Sequence, residues 1–312
     1  MKSKECRIIF LGTPDIAAYV LEALINDGYN IIGIVSQEDK EKNRKGLLLE
    51  TPTKMIGKKY NIPVYQFDKI RLHVEEVAAL KPDLILTLAY GQLVSQEILD
   101  IPSLGCINLH GSLLPKYRGA APIQRVLFSG EKETGFTLMQ MIKQMDAGLM
   151  YKKLTIKIDE SDNFSSLYEK MKECAKDLIL CSLPEYIEGK LPGVAQDESE
   201  ASFAPKILKE DEKMDINMNC IDFINKIRAL SYKPGGFLLL DNEIIKIFKV
   251  HYLNDKKSFE NGTIICADKT GIVVQLEDGT IIIDELQRQQ KKMMKAPDFI
   301  NGYSNLKGKK FL

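Results

Sequence analysis

The sequence has no excess of charge and no long apolar run, and each absence excludes a class of protein. Its 43 basic and 43 acidic residues cancel, which excludes a histone-like nucleic-acid binder, although a local basic patch can exist within a neutral total. The longest apolar runs, residues 31–35 and 84–90, have the length of strands. A membrane span needs roughly 20 apolar residues, so we expect no membrane association.

Disulfide and metal signatures are also missing. The six cysteines are scattered along the chain, with no CxxC pair and no metal-ligand spacing. Scattered thiols are typical of a reducing compartment. Residues 1–6 pass directly into apolar sequence, without the pattern of a signal peptide or a transit segment. These features predict a cytoplasmic protein without a metal site.

The length of the chain and a linker-like segment within it indicate two domains. A chain of 312 residues, 45% of them hydrophobic, exceeds what one core usually serves. Between Pro192 and Pro205 the sequence is rich in proline, glycine and polar residues, which is typical of a linker. We therefore predict a first domain over residues 1–191, a linker over 192–206 and a second domain over 207–312.

The first domain alternates between strand and helix patterns. Residues 7–12 are a buried strand that ends at Gly12, and Thr13-Pro14 then starts a helix that stops at Asp27-Gly28. A second apolar strand at 31–35 completes a βαβ unit. Further strands are predicted at 62–65, 83–89, 105–110 and 135–141, and helices at 72–80 and 163–188. This alternation predicts a Rossmann-like α/β domain with a parallel sheet.

The second domain has a different pattern. One helix is predicted at 220–230. Short strands separated by Asp-Asn, Asn-Gly and Asp-Gly turns follow at 237–240, 243–250, 262–267, 271–276 and 280–285. Five short strands at this spacing predict a small β-barrel such as an OB-fold.

The glycine after the first strand does not make a dinucleotide site. The fingerprint for such a site needs three glycines in G-x-G-x-x-G and an acidic residue about 20 positions later. Here only Gly12 is present, followed by Thr13-Pro14-Asp15. We therefore expect no NAD cofactor.

The strongest candidate site lies at the end of the strand at 105–110. Alternation along this strand places Asn108 and His110 on one face, at the carboxyl edge where open α/β sheets bind ligands. An imidazole beside a neutral amide suits a reaction in which an oxyanion develops and a proton moves. Asp146, on a turn after the sixth strand, is a candidate partner for His110. A turn or helix-cap role explains Asp146 equally well.

One block of residues carries a family resemblance. From Asn108 to Gln124 the sequence reads Asn-x-His-Gly-Ser-Leu-Leu-Pro-x-x-Arg-Gly-Ala-Ala-Pro-Ile-Gln, which closely resembles the methionyl-tRNA formyltransferases. Residues 11–15, 89–91 and 139–141 are similar too, and the likeness spans essentially the whole chain. Asn-x-His with a downstream Asp belongs to all folate-dependent formyltransferases, whereas the longer block is more specific.

The resemblance implies an enzyme that transfers a formyl group from 10-formyltetrahydrofolate to the α-amine of methionine on initiator tRNA. Asn108, His110 and Asp146 match the catalytic trio of the family. In that scheme the amine attacks the formyl carbon, and Asn108 and His110 stabilise the oxyanion. Asp146 orients His110 and assists proton transfer. The folate-binding residues that the resemblance implies are Ser112, Leu113, Leu114, Pro115, Tyr90 and Gly91.

Two basic segments are candidates for tRNA binding. Arg44 matches the key basic position of a family loop that enters the acceptor stem, and Lys45 follows it. Glu38 and Glu41 dilute the charge there, so a solvated charge run is the alternative. The last 25 residues hold one acid, Asp298, and a basic cluster that we interpret as an RNA-backbone contact, with surface solubility as the alternative. The cluster comprises Arg288, Lys291, Lys292, Lys295, Lys307, Lys309 and Lys310.

The chain departs from the family in having no tryptophan: Tyr117 and the turn at 232–235 stand where the family often has one. Three rival functions stay open. A formyltetrahydrofolate hydrolase should lack the basic loop, and a sugar-amine formyltransferase usually carries another C-terminal module. A non-catalytic RNA-binding protein would not need the intact trio. We expect a monomer, and we expect His73 and His251 to be structural or exposed.

Overall fold

The computed structural model describes residues 3–39, 48–303 and 305–312, and the chain divides into two units. The first unit comprises residues 1–120, 134–156 and 170–204. The second comprises 121–133, 157–169 and 205–312. Two short segments that lie within the predicted first domain, residues 121–133 and 157–169, thus belong with the C-terminal unit. The domain limits drawn from the sequence stay a prediction.

A seven-stranded sheet organises the first unit, in the order β3-β2-β1-β4-β5-β6-β7. The pairs among β1 to β5 are parallel, whereas β6 runs antiparallel to β5. This confirms the Rossmann-like fold class. The strands are β1 Ile8–Gly12, β2 Ile31–Ser36, β3 Val64–Gln66, β4 Leu84–Leu88, β5 Cys106–His110, β6 Glu133–Gln140 and β7 Met150–Lys157.

The chain has nine α-helices in the part that the structure describes, numbered here in chain order. They are α1 Asp15–Asn26, α2 Pro52–Tyr60, α3 Val74–Ala79, α4 Gln96–Leu99, α5 Pro122–Phe128, α6 Phe164–Ile187, α7 Lys209–Glu212, α8 Cys220–Leu230 and α9 Ala296–Asn301. Within the described ranges, none of the helices is long and apolar enough to cross a membrane.

Burial explains why the central strands were readable from the sequence. Every residue of β1 and β4 is buried, as expected for strands covered on both faces. Strand β7 was not predicted, because its residues alternate between exposed and half-buried positions and give no apolar run. Helix α2 was also missed. It buries only Thr53 and Gly57, so it lacks a clear apolar stripe.

The second unit is an antiparallel sheet that packs on α8. Its path is β10-β11-β12-β9-β8, with β13 paired to β12. Apolar side chains of α8, including Phe223 and Ile227, share a core with Leu238, Ile247 and Ile281 of the sheet. This domain agrees with the small barrel predicted. Its strands are β8 Gly236–Leu240, β9 Glu243–Asn254, β10 Ile264–Asp268, β11 Gly271–Gln275, β12 Thr280–Arg288 and β13 Met294–Lys295.

Candidate active site

Strand β5 delivers two polar side chains to the carboxyl edge of the parallel sheet. Asn108 pairs with Thr87 of β4 and Met139 of β6, and His110 pairs with Thr137. Because the side chains of residues i and i+2 lie on one face of a strand, Asn108 and His110 share a face. Asn108 is half-buried and His110 is 5% exposed. A shielded imidazole at a strand end is suited to act on a ligand that enters there.

The hydrogen bonds of His110 determine its tautomer. Its Nε2 atom lies 2.9 Å from the carbonyl oxygen of Tyr117. A carbonyl oxygen only accepts, so Nε2 carries the hydrogen and Nδ1 is the free nitrogen of the neutral ring. Nδ1 lies 3.6 Å from Oδ1 of Asp146, beyond a direct hydrogen bond. The nitrogen that can gain or lose a proton therefore faces the carboxylate.

Asp146 is held in place from its other oxygen. Its Oδ2 accepts a hydrogen bond of 2.8 Å from the backbone N–H of Gly119. Its backbone is in the left-handed region, with φ of 52°. Non-glycine residues adopt this conformation at a cost, and such positions cluster at functional sites. The structure thus brings Asp146 to His110, as the sequence predicted, with one carboxylate oxygen anchored and one facing the ring.

The loop after β5 has two members that face inward and two that do not. Ser112 is buried and donates from Oγ to the carbonyl oxygen of Lys116 at 2.7 Å. Leu114 is fully buried, and its N–H donates to Oγ1 of Thr137 at 3.1 Å. Leu113 and Pro115 are half-buried. Only these last two offer side-chain surface to a ligand, so any contact from Ser112 or Leu114 would use the main chain.

Tyr90 and Gly91 follow β4 at the same sheet edge. The carbonyl oxygen of Tyr90 accepts from Nε2 of Gln37 at 2.8 Å and from Oγ1 of Thr13 at 3.3 Å. The Tyr90 ring is 2% exposed, and burial raises the pKa of its hydroxyl. This buried hydroxyl has no hydrogen-bond partner in the described part of the chain. The ring belongs to a buried apolar cluster with residues such as Ile9 and Leu11, so Tyr90 offers its main chain, and not its hydroxyl, at the sheet edge.

Arg118, in the loop after β5, is held by two residues from much later in the chain. Its guanidinium donates two hydrogen bonds to the carboxylate of Glu198, at 2.9 and 2.8 Å, and also donates to Oε1 of Gln196. Arg118 is 2% exposed, so it is a structural ion pair and not a ligand clamp. Sequence reasoning missed Gln196 and Glu198. No local pattern signals contacts between residues about 80 positions apart.

Comparisons with known proteins identify the family of this chain. The formyl transferase family matches residues 6–183, and its C-terminal domain family matches residues 206–304. Methionyl-tRNA formyltransferase of Bacillus velezensis is 40% identical over 299 residues, which cover 95% of this chain and 94% of that protein. Methionyl-tRNA formyltransferase of Malacoplasma penetrans is 39% identical over 304 residues, which cover 97% of this chain and 96% of that protein. The chain belongs to the methionyl-tRNA formyltransferase family. It is an enzyme that transfers formyl groups.

Solved structures support the fold of this formyltransferase. HypX from Aquifex aeolicus, crystallised with tetrahydrofolic acid, superposes with a TM-score of 0.64 at 16% identity over 98% of this chain. This chain spans about half of HypX, 51% of its length. An N-formyltransferase from Helicobacter canadensis, in complex with folinic acid and dTDP-3-aminofucose, has a TM-score of 0.64 at 19% identity. It covers 90% of this chain and 99% of its own.

The candidate tRNA-binding residues of this formyltransferase differ in their surroundings. Arg44 and Lys45 lie outside the described residues. Lys291 and Lys292 are exposed in the second unit. Three other members of the C-terminal basic cluster form ion pairs with acids that precede it: Arg288 with Glu243, Lys309 with Asp241 and Lys310 with Glu260. The local positive charge is therefore smaller than the last 25 residues alone suggested.

The other two histidines have structural surroundings. His73 stacks on Phe67 and bonds to Glu76 and Asp68, and these carboxylates raise its pKa. His251 is exposed, with Nδ1 2.9 Å from Oδ2 of Asp284. Both agree with the expectation from the sequence. Within the described ranges, no group of three or more His, Cys, Asp or Glu side chains is arranged to hold a metal ion.

A groove of about 740 Å³ lies on the second unit. It is lined by residues such as Ile221, Arg228 and Tyr252. Arg228 donates to the carbonyl oxygens of Asp162 and Asp159, at 2.7 and 2.9 Å. These bonds already occupy its guanidinium. The groove shares no residue with the trio of Asn108, His110 and Asp146, which remains the candidate active site.

Proposed function

We propose that this enzyme transfers the formyl group of 10-formyltetrahydrofolate to the α-amine of methionyl initiator tRNA, forming N-formylmethionyl-tRNA for translation initiation. The observation that carries the proposal is the approach of Asp146 to Nδ1 of His110, at 3.6 Å, beside Asn108. The near-full-length relatives named methionyl-tRNA formyltransferase support the choice of acceptor. The proposal includes a cytoplasmic monomer that needs no metal.

The tautomer of His110 constrains the chemistry. The amine attacks the formyl carbon, a C–N bond forms, and the carbonyl oxygen becomes an oxyanion. Asn108 can donate to this oxyanion from its amide, and His110 only from a protonated Nδ1, since Nε2–H is held by the carbonyl of Tyr117. The Asp146 carboxylate stabilises that imidazolium. Nδ1 gains this proton from the attacking amine. When the intermediate collapses and the C–N bond to the folate nitrogen breaks, Nδ1–H gives the proton to that nitrogen.

A direct assay separates this proposal from its rivals. The protein is incubated with 10-formyltetrahydrofolate and charged initiator tRNA, and formyl-methionine is measured after the ester bond is cleaved. Parallel incubations contain water alone or a nucleotide-linked amino sugar as the acceptor. Formate released without an acceptor would indicate a hydrolase, and a formylated sugar would indicate a sugar-amine enzyme. Donor-independent tRNA binding with no product would indicate a non-catalytic RNA-binding protein.

The donor subsite is proposed at the sheet edge, with Tyr90 and Gly91 on one side and the loop of Ser112, Leu113, Leu114 and Pro115 on the other. The unpartnered Tyr90 hydroxyl gives a sharp test. Tyr90→Phe keeps the ring and removes a buried polar group that costs about 1–3 kcal/mol when unsatisfied. We expect the variant to be at least as stable as the parent in thermal unfolding, while the KM for the donor changes by less than about two-fold, because the buried hydroxyl offers no surface to a ligand. A donor KM that rises several-fold would show instead that the hydroxyl reaches the subsite.

For the tRNA we propose contacts from Arg44 and Lys45 and from the exposed Lys291 and Lys292. Replacing both Lys291 and Lys292 by alanine should weaken tRNA binding. Each lost phosphate contact lowers the slope of log K against log salt by roughly 0.7–0.9, so the loss of two lowers it by about 1.5. The matched control replaces Lys309 and Lys310, whose ammonium groups already pair with acids. Equal slopes for the Lys291/Lys292 variant and the parent would contradict the assignment.

A further inference from the structure

The segment interpreted from the sequence as a linker bonds to the main chain around the trio. Within residues 192–200 every residue is exposed except Gln196. Its Nε2 donates to the carbonyl oxygens of Asp146, at 2.8 Å, and Gly148, at 2.9 Å. These two bonds hold the turn that carries the Asp146 carboxylate. One inward glutamine thus joins an otherwise exposed segment to the candidate active site.

Arg118 sets the orientation of the Gln196 amide. Nε and Nη2 of Arg118 donate to Oε1 of Gln196 at 3.0 and 2.8 Å. Because both of these guanidinium nitrogens are donors, they require the amide oxygen on their side, and the amide NH2 is then directed to the two carbonyls. Glu198 accepts from the other edge of the buried guanidinium. Arg118, Gln196 and the Asp146 turn form one chain of hydrogen bonds.

The same segment supports the acceptor of His110. Oγ of Ser202 accepts from the N–H of Tyr117 at 3.0 Å, and the carbonyl oxygen of Ser202 accepts from the N–H of Arg118 at 2.8 Å. Tyr117, like Asp146, has a left-handed backbone, with φ of 61°. Such conformations cost energy and persist only where the surroundings hold them. Residues 196–202 therefore hold the backbone on both sides of the His110 ring.

We propose that Gln196 is a positioning residue for formyl transfer: by holding the carbonyl oxygens of Asp146 and Gly148, it sets the distance between the Asp146 carboxylate and Nδ1 of His110. This inference rests on the proposed roles of His110 and Asp146. Displacements of about 1 Å from a reactive geometry can cost about 10²-fold in rate. Gln196 therefore acts on kcat, through Asp146, and not on substrate affinity.

The test variant is Gln196→Glu. A glutamate keeps the size of the side chain and an oxygen for Arg118, but it has no N–H for the two carbonyls and repels them. We expect kcat to fall about 10- to 100-fold, with both KM values changed by less than about three-fold. Gln196→Ala, which removes the donor without adding charge, should lower kcat in the same way. The control is Gln96→Glu, the same change at an exposed glutamine of α4, and it should leave kcat unchanged.

A double-mutant cycle with Asp146→Asn distinguishes positioning from a merely structural role. If Gln196 acts through Asp146, Gln196→Glu lowers kcat no more than about two-fold in the Asp146→Asn background. Losses that multiply overturn the proposal. The proposal is also overturned if both Gln196 variants unfold at a lower temperature but keep the parental kcat, while Asp146→Asn has a lowered kcat. If Asp146→Asn itself keeps parental kcat, the proposed role of Asp146 fails, and the positioning role fails with it.

Discussion

His110→Ala should lower kcat by about 10²–10⁴-fold, the usual cost of losing a positioned proton-transfer group. Nδ1 of His110 is the nitrogen that faces Asp146, and Nε2 is held by the carbonyl of Tyr117. Alanine therefore removes both the donor to the oxyanion and the group that moves the proton. The rate is measured at saturating donor and tRNA, and circular dichroism checks that the variant is folded.

The protein contains a matched control for this experiment. His251 also faces an aspartate, with Nδ1 2.9 Å from Asp284, but it is exposed and lies in the second unit. His251→Ala should keep the parental kcat. A folded His110→Ala variant with near-parental turnover would show that the imidazole has no part in the chemistry. His110 would then be a structural residue that only bonds to Tyr117.

Asp146→Asn should lower kcat by about 10²-fold or more, because an amide cannot stabilise the imidazolium that forms at His110. The substitution is well matched to the site. Asparagine tolerates the left-handed backbone, with φ of 52°, and its oxygen can still accept from the N–H of Gly119. The loss should therefore appear in kcat and not in the unfolding temperature. Rates are measured from about pH 6 to about pH 8, where histidine titrates.

Asp284→Asn, which changes the partner of His251 in the same way, is the control and should have parental rates. An Asp146→Asn variant with unchanged kcat throughout that pH range would leave Asp146 as a turn residue. The bond to Gly119 alone would then explain its conformation.

The sequence predicted the architecture well where buried side chains form a continuous or regularly repeating apolar pattern along the chain. The apolar runs of β1, β2 and β4 and the 3.6-residue pattern of α8 were read directly, and α8 spans the residues predicted, 220–230. Alternation along β5 was sufficient to place Asn108 and His110 on one face. The sixth strand was also predicted, but its antiparallel direction was not, because an apolar run has the same pattern in either direction.

The sequence alone determined that Asn108 and His110 lie at the sheet edge, and that their surrounding residues resemble those of a known family. The tertiary structure decided which partners those residues have. It assigned Arg118 to Glu198 and Gln196, exposed the free nitrogen of His110 to Asp146, and paired Arg288 and other basic residues with distant acids. These contacts join residues from 36 to 80 positions apart. Local periodicity reports only which face a residue occupies, so partners brought together by folding leave no pattern in the chain.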